Sequence, residues 1–299
     1  MKKLFTLFIA VFAAIGLQAQ TSGTCGDNLN WSYNETTKTL TITGSGAMTD
    51  YAAAADRPWH TFRADIESIV VPDGLTNIGA YAFQGCKMVN FTIPESVTSI
   101  GKYAFYYCTA LTAIDIPAGV TSMGDLAFDQ CSALVSVNLH EGLTSIGAAA
   151  FGGCKALTTI NLPTGLTSLG ADVFWGCSAL TNITIPGTLS TIPARAFGND
   201  TLLTTVVLSE GVTTIKYNAF YKCKRLSSIN IPESVTSVVE GAFETNHAIA
   251  EPLYNSHLFV YLPGSYEGEY VVPNGISVIA GYAFKDRANL TSVILPASI

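Results

Sequence analysis

The sequence predicts a solenoid: a β-rich α/β stack of near-identical coils. Each coil would give one short strand to a parallel sheet and one short helical turn, and a small β cap would precede the stack. The main observation is a phenylalanine that recurs at Phe83, Phe105, Phe128, Phe151, Phe174, Phe197, Phe220, Phe243 and Phe284. The successive gaps are 22 residues, then 23 residues six times, then 41 residues. A cysteine three residues after most of these phenylalanines and a proline eleven residues before most of them follow the same period.

Residues 111–131, LTAIDIPAGVTSMGDLAFDQC, illustrate one coil, which begins with a strand. Ile114 and Ile116 alternate with polar residues, so residues 111–116 are predicted to form a strand with one face pointing inward. Pro117 ends this strand because proline has no N–H to donate to a neighbouring coil. The equivalent proline in most other coils predicts the same end to each strand.

The second half of the same coil turns back toward the next strand. Residues 120–123 read as a second short extended piece that leads to Gly124. A glycine here indicates a corner with positive φ or with close backbone approach. Residues 125–130 are then predicted to form one helical turn that carries Phe128 into the core.

Six of the seven cysteines occupy one equivalent position: Cys86, Cys108, Cys131, Cys154, Cys177 and Cys223. Equivalent positions stack into a column, and free cysteine behaves as a small buried hydrophobe. Asp200, Asn246 and Arg287 replace cysteine in other coils, so the column does not depend on a covalent bond. The spacing therefore predicts free buried thiols, and neither disulfides nor a zinc site with its tetrahedral ligand cluster.

Residues 1–19 have the pattern of a secretory signal peptide. Lys2 and Lys3 precede an apolar run from Leu4 to Leu17, and cleavage is expected after Ala19. The apolar run is too short to span a bilayer, and no later segment is long enough for a transmembrane helix. The sequence thus predicts export of the mature chain.

Residues 20–65 are predicted to form a cap with a β-hairpin. Residues 31–33 and 39–43 are β-prone and are joined by a polar turn. A solenoid exposes apolar core at its ends, so we interpret Trp31 and Trp59 as the plug over the first coil. Ligand stacking on Trp59 is the alternative interpretation.

The repeat LTxIxIPxGVTSIGxxAFxxC resembles the 23-residue leucine-rich repeat of BspA-like bacterial surface proteins. The preceding GTCGDNLNWSYN, LTITGSGAM and PW are also similar to the amino-terminal segment that often precedes such repeats. The resemblance implies a leucine-rich-repeat solenoid in an exported protein that is associated with the cell surface and used for adhesion or other protein contacts. It implies no catalytic residue, because the repeat is structural.

The predicted array covers residues 66–299 and is interrupted between Phe243 and Phe284, where the gap exceeds the regular 23 residues by 18. A hairpin insertion is predicted at about 247–268, with arms at 253–254 and 258–262. An insertion on one face of a solenoid is a favoured binding site, and the alternative is a hairpin that only packs against the side. The chain ends within a repeat, which indicates a longer protein.

The sequence offers no candidate for catalysis, a metal or a cofactor. The net charge is -7 and there is no basic run, which argues against nucleic acid as a partner. His60, His140, His247 and His257 lack metal-ligand spacing with one another or with cysteine or carboxylate groups. No nucleophile elbow, P-loop or dinucleotide fingerprint occurs, and Asp115 has no partner that the sequence identifies. The prediction is a protein without enzymatic activity.

Aromatic residues beside the repeat phenylalanine are the candidate binding residues: Tyr81, Tyr103, Tyr106, Tyr107, Trp175, Tyr217 and Tyr221. Tyrosine and tryptophan anchor protein interfaces and also stack on sugars, whereas the alternative is partial burial against adjacent turns. The outward face of the sheet is neutral and rich in hydroxyl and amide groups. The leading hypothesis is binding to a protein, such as one of a host or of another cell's surface. A glycan-binding surface protein and an accessory repeat region of a larger protein are the alternatives.

Overall fold

The computed structural model describes residues 20–299, so the predicted signal peptide lies outside the described residues. The cap contains β1 (Ser22–Gly26), β2 (Leu29–Asn34), β3 (Thr39–Gly44), β4 (Gly46–Ala47) and the short 3-10 helices η1 (Ala54–Asp56) and η2 (His60–Phe62). The first coils contain β5 (Ser68–Val70), β6 (Leu75–Ile78), β7 (Ser99–Ile100), β8 (Ala113–Asp115), β9 (Ser122–Met123), β10 (Ser136–Asn138), β11 (Ser145–Ile146) and β12 (Ser168–Leu169). The later coils contain β13 (Asn182–Ile185), β14 (Thr191–Ile192), β15 (Thr205–Leu208), β16 (Thr214–Ile215), β17 (Ser228–Ile229), β18 (Ser237–Val238), β19 (Leu253–Tyr254), β20 (Leu258–Tyr261), β21 (Gly268–Val271), β22 (Val278–Ile279) and β23 (Leu290–Ile294).

The coils form a parallel solenoid with two rows of short strands. One row contains β8 paired with β10, the sheet β13-β15-β17, and β21 paired with β23. The second row contains the sheet β12-β11-β9-β7-β6-β4 and the sheet β14-β16-β18. Partners within a sheet differ by one repeat, as in the pairs Ser145 with Ser122 and Ile146 with Met123. The predicted stack and its parallel sheet are confirmed.

The cap closes one end of the core. Strands β1, β2 and β3 are antiparallel, and β3 pairs in parallel with β5, which joins the cap to the first coil. Trp59 is fully buried, lies 6.5 Å from Phe83 between ring centroids, and donates its Nε1 hydrogen to Ala82 O at 2.8 Å. Buried Arg57 donates to the carbonyls of Tyr81 and Gln84, each at 2.6 Å. Because its ring is enclosed, Trp59 is a core residue and not a stacking platform for a ligand.

The repeat phenylalanines form the centre of the core. From Phe105 to Phe243 each ring stacks on the next, with centroids 4.8–5.7 Å apart and planes within 5–14°. Offset stacking of this kind stabilises a pair by about 0.5–1.5 kcal/mol beyond its buried area. The column therefore links neighbouring coils energetically along the array.

The cysteines form a second buried column beside the phenylalanines, and all seven in the chain are free. Each column thiol from Cys108 onward donates to the carbonyl of the repeat phenylalanine one coil earlier; Cys131 Sγ, for example, lies 3.2 Å from Phe105 O. Burial raises the pKa of these thiols, to about 12 for Cys86. The thiols therefore remain protonated donors at neutral pH.

The glycine that precedes the turn in five of the nine coils lies where the backbone of the previous coil approaches closely. A Cβ atom on Gly170 would lie 2.2 Å from Ala148 N, and one on Gly124 would lie 2.5 Å from Lys102 N. Positive φ angles occur elsewhere, two residues before and two residues after the repeat phenylalanine, mostly at residues other than glycine. Leu126 (φ 54°) and Ala149 (φ 51°) are examples. Of the two explanations for the glycine column, close approach is the one that applies.

In place of the helical turn predicted in each coil, the structure has successive four-residue turns, each closed by a hydrogen bond from the N–H of residue i+3 to the carbonyl of residue i. Alternate N–H groups bond within the turn, as Tyr106 N does to Tyr103 O at 3.2 Å. The other N–H groups donate to carbonyls of the next coil, as Phe105 N does to Ala127 O at 2.7 Å. These turns stack into one side of the solenoid, which we call the turn edge.

The long interval between Phe243 and Phe284 contains a coil of its own. Strands β19 and β20 form the predicted antiparallel hairpin, but β20 also pairs in parallel with β22. Leu262 N donates to Ala283 O at 2.9 Å, and Arg287 Nε donates to Leu262 O. These are the bonds that a repeat phenylalanine makes, so Leu262 occupies its position. We call this segment, residues 247–262, the short coil.

Candidate binding site on the turn edge

Four of the predicted binding residues form one continuous group on the turn edge, the tyrosine cluster of Tyr81, Tyr103, Tyr106 and Tyr107. The rings of Tyr81 and Tyr103 stack with centroids 4.7 Å apart and planes 9° from parallel. Tyr103 meets Tyr106 edge to face at 5.4 Å, and Tyr106 meets Tyr107 at 5.6 Å. Tyr107 is the most open of the four, with 54% of its surface exposed.

The repeat itself brings these rings together. Tyr81 and Tyr103 are both two residues before a repeat phenylalanine and both have positive φ, 61° and 57°, so they project from equivalent points of adjacent coils. Tyr106 and Tyr107 follow Phe105 directly, and the buried phenylalanine fixes the backbone from which they extend. The cluster is thus held by the core and not by a flexible loop.

One titratable carboxyl group influences the cluster. Burial raises the pKa of Asp129, in the next coil, to about 6. Burial also raises the pKa of Tyr106, and the Asp129 carboxylate adds to that effect. Tyr106 is therefore an uncharged phenol near neutral pH, beside a carboxyl group that becomes neutral in mildly acidic solution.

Trp175 and Tyr221 form a second group, although one whole coil lies between them. Their rings lie 6.4 Å apart between centroids and are within 13° of parallel. The coil between them has Gly198 at the equivalent position, where a Cβ atom would lie 2.1 Å from Trp175 Cζ3. Gly198 leaves the space that lets Trp175 reach across an entire coil.

Tyr217 belongs to neither group. Among the described residues it makes no ring contact with the other six, and its hydroxyl accepts a hydrogen bond from Arg195 Nη1 at 2.7 Å. Arg195 also donates two bonds of 2.6 Å to the Asp172 carboxylate, and these bonds raise the pKa of the guanidinium group. The structure thus divides the seven predicted residues into a cluster, a pair and a single tyrosine.

The outward face of the sheet contains one polar network that spans two coils. Asp115 Oδ1 accepts from Asn138 Nδ2 at 2.9 Å and lies 3.1 Å from His140 Nε2. Sequence analysis identified no partner for Asp115, because the contact joins residues about one repeat apart. The side chains of His140 and Asp115 are both well exposed, so the network is a solvated surface feature.

Residues 20–299 contain no group of three or more histidine, cysteine, aspartate or glutamate side chains arranged to hold a metal ion. The same part of the chain has no helix that is both long and apolar enough to cross a membrane.

The repeated coils match a known family. Two overlapping regions, residues 61–154 and 127–250, match the family described as "BspA type Leucine rich repeat region", with six copies of the repeat. These regions together cover more than half of the chain. The chain belongs to the BspA-type leucine-rich repeat family. A BspA-type repeat is a non-catalytic scaffold, and no enzyme family is indicated.

Solved structures of bacterial leucine-rich repeat proteins are similar to this BspA-type chain. The T. pallidum leucine-rich repeat protein is 22% identical and has a TM-score of 0.51, with 69% of this chain and 88% of that chain covered. A leucine-rich repeat protein from Eubacterium ventriosum is 20% identical, covering 94% of this chain and 96% of its own, with a TM-score of 0.49. One from Bacteroides ovatus is 20% identical, covering 90% and 70%, with a TM-score of 0.49. At these identities the T. pallidum likeness supports the fold alone. No curated protein matches the sequence.

Sequence reasoning missed three residues that shape this BspA-type turn edge: Arg195, Gly198 and Asp129. Gly198 could have been identified, since it is the glycine between two large aromatic residues at equivalent positions. Arg195 and Asp172 are also at equivalent positions of adjacent coils, so the exact repeat of 23 residues predicts their contact. The burial that raises the pKa of Asp129 has no comparable signal in the sequence.

Proposed function

We propose that this BspA-type protein is an exported, cell-surface-associated scaffold that binds another protein through its turn edge and thereby mediates adhesion. The tyrosine cluster is the observation that carries the proposal. Four tyrosines lie in contact on one rigid edge, and Tyr107 is more than half exposed. Tyrosine is enriched at the energetic centres of protein interfaces, where its ring buries apolar area and its hydroxyl forms a hydrogen bond.

The arrangement of the rings favours a protein over a glycan. A sugar stacks on an open aromatic face, but Tyr81 and Tyr103 cover each other's faces. Trp175 is half-buried and lies over Gly198. Ring and hydroxyl groups together give the cluster a mixed apolar and polar surface, which suits a protein partner.

Export is supported by the amino-terminal pattern, in which Lys2 and Lys3 precede the apolar run and a polar segment follows Ala19. A secreted mature chain that begins after Ala19, read by mass spectrometry of the culture medium and cell surface, is the expected result. Full-length protein that stays in the cytoplasm would contradict the proposal of export.

The binding proposal is tested with the purified chain on an array of immobilised extracellular proteins and, in parallel, on a glycan array. A Tyr106→Ala/Tyr107→Ala variant is expected to lose at least tenfold in affinity for the bound protein, because hot-spot tyrosines contribute about 2 kcal/mol or more. Tyr254→Ala, which removes an exposed tyrosine elsewhere, is the matched control. Binding to glycans alone, or equal protein binding by both variants, would contradict the proposed function.

A further inference from the structure

The short coil lacks the turn that every neighbouring coil places on the turn edge. In a regular coil four residues separate the second strand from the repeat phenylalanine, as 124–127 separate Met123 from Phe128. In the short coil only Val260 and Tyr261 separate Phe259 from Leu262. The chain therefore takes a direct path into the core, and no described residue between 246 and 267 has positive φ.

A cavity of about 520 Å³ lies where this turn is missing. Its two walls are the turns of the neighbouring coils, residues 241–245 and 281–287, and its floor includes Tyr261. The volume is within the range of ordinary ligand-binding pockets, about 300–1,000 Å³. The cavity is separate from the tyrosine cluster, which belongs to the coils of Phe83 and Phe105.

One wall presents backbone donors that the regular repeat would use. In the coil of Phe128, the N–H groups of Phe128 and Gln130 donate to carbonyls of the next coil at 2.8 and 2.7 Å. The equivalent N–H groups of Phe243 and Thr245 have no acceptor among the described residues. Unpaired buried donors are costly, so this wall is complementary to a chain that offers carbonyl groups.

Asn246 adds a side-chain amide to the same wall. It stands in the cysteine column and is only 1% exposed, and neither its Nδ2 nor its Oδ1 has a hydrogen-bond partner in the described part of the chain. Thr245 Oγ1 is also buried without a partner. An amide can both donate and accept, which matches the two groups of a peptide bond.

The charges around the cavity balance. Lys285 Nζ and Glu244 Oε1 form an ion pair of 2.7 Å between the two walls. Arg287 is bonded to the carbonyls of Leu262 and Lys285, and its Cζ lies 4.7 Å from the centroid of the Tyr261 ring. Asp286 offsets the charge of Arg287. A balanced site does not attract a free anion strongly, and it suits a neutral polar ligand.

We infer that this cavity binds an uncharged, extended peptide segment of a partner protein, whose backbone carbonyls accept from the N–H groups of Phe243 and Thr245. In a regular coil the two equivalent N–H groups donate to carbonyls of alternate residues, as Phe128 N and Gln130 N do to Ala150 O and Gly152 O, so the bound segment must present carbonyls of alternate residues on one side. This binding mode resembles the addition of a strand to a sheet edge, because main-chain hydrogen bonds supply the affinity. Here the donors belong to a turn of the turn edge. Asn246 pairs with a peptide group of the incoming segment. The inference shares protein binding with the proposed function but assigns it to a different site.

The test uses the whole chain, labelled with 15N, and a penta-alanine peptide blocked at both ends. The peptide is expected to shift the backbone amide resonances of Phe243 and Thr245 and the side-chain amide of Asn246. The variant Gly264→Trp fills the cavity mouth, and a Cβ atom on Gly264 would meet no atom within 4 Å, so the fold is preserved. The Gly264→Trp variant is expected to bind the peptide with at least tenfold lower affinity than the wild type. Lys155→Trp, at an exposed position outside the cavity, is the control.

Three outcomes would overturn the inference: no shift at these resonances, equal affinity in Gly264→Trp and Lys155→Trp, or the same shifts with acetate alone. Asn246→Cys restores the residue of the cysteine column, so it keeps the fold and is expected to weaken peptide binding. The Tyr106→Ala/Tyr107→Ala variant is expected to bind the peptide as the wild type does. Peptide binding at the cavity can therefore be observed even if the tyrosine cluster binds no protein.

Discussion

Replacing Asp200 with the cysteine of the repeat is expected to stabilise the protein in a way that depends on pH. Asp200 is fully buried in the cysteine column, and neither carboxyl oxygen has a hydrogen-bond partner among the described residues. Burial raises the pKa of this carboxyl well above its ordinary value. The cysteines at the equivalent position of other coils, such as Cys177, donate a hydrogen bond to a backbone carbonyl. Burial raises the pKa of the Cys177 thiol, so this thiol is neutral at pH 7.

The sign of the effect follows from proton linkage. An aspartate in the unfolded chain has a pKa of about 3.9. Between that value and the raised pKa of the folded state, the folded protein binds one more proton than the unfolded protein. Its stability therefore falls as the pH rises, by about 1.4 kcal/mol per pH unit. The loss grows with pH through this range and stops growing once the pH passes the raised pKa of the folded state.

The assay is urea unfolding followed by circular dichroism at pH 4, 5, 6 and 7, with a reductant present. Asp200→Cys is expected to exceed the wild type in unfolding free energy at pH 7, and the difference should shrink as the pH is lowered. Other carboxyl groups contribute equally to both proteins and cancel in the difference. Asp73→Asn, which changes an exposed aspartate whose carboxylate has no hydrogen-bond or ion-pair partner among the described residues, should show no such pH-dependent gain. A difference that is the same at every pH, or a wild type that is more stable at pH 7, would refute the reasoning.

Two further substitutions test the core and the turn edge by the same unfolding assay. Phe151→Ala is expected to cost about 3–5 kcal/mol, because it empties a fully buried position and removes two ring stacks; an unchanged midpoint would contradict its place in the core. Ala149→Gly is expected to stabilise by about 0.5–1 kcal/mol, since relief from a φ of 51° outweighs the added freedom of the unfolded chain. Ala150→Gly, at the next residue and with ordinary φ, should destabilise by about 1 kcal/mol, so equal effects of the two glycines would argue against strain at Ala149.

The sequence predicts the core of this fold well because each coil buries the same types of residue at equivalent positions. Phe128, Cys131 and Ile114 belong to columns whose neighbours are copies of themselves, so a single pattern of residue types identifies them as buried. Trp59 was predicted as a plug for a similar reason, since the exposed end of a column needs an apolar cover. These predictions concern only which side chains are buried, and the apolar or polar type of a residue is enough to predict that.

The backbone of the turn edge was less predictable. Leu126 and Ala149 adopt positive φ without glycine, asparagine or aspartate to indicate it. Bonds from the adjacent coil, such as Leu126 N to Ala148 O at 2.8 Å, hold the conformation, and a single-sequence pattern does not register bonds between coils. The short coil was read as an insertion for a related reason, because Leu262 takes the place of phenylalanine and the period is lost there.

The candidate site was predicted as a set of residues but not as an arrangement. Tyr81 and Tyr103 were chosen because they flank a buried phenylalanine, and their stacking follows from the register of adjacent coils. Tyr217 was chosen on the same grounds, yet it pairs with Arg195 instead. Which aromatic residues meet depends on the side chains one coil away, and these vary outside the repeat consensus.

The repeat also determines how each site can recognise a partner. In regular coils the next turn takes up backbone donors of the turn edge, as Ala127 O does for Phe105 N. A partner that docks on the turn edge therefore contacts side chains rather than the backbone. Because the fold does not depend on these side chains, the specificity of the tyrosine cluster can change without loss of the fold. At the short coil the donors of Phe243 and Thr245 are open, and a partner can be bound by its backbone. Side-chain recognition gives selectivity for one partner, whereas backbone recognition accepts many sequences, so the two proposed sites differ in how narrowly they select a partner.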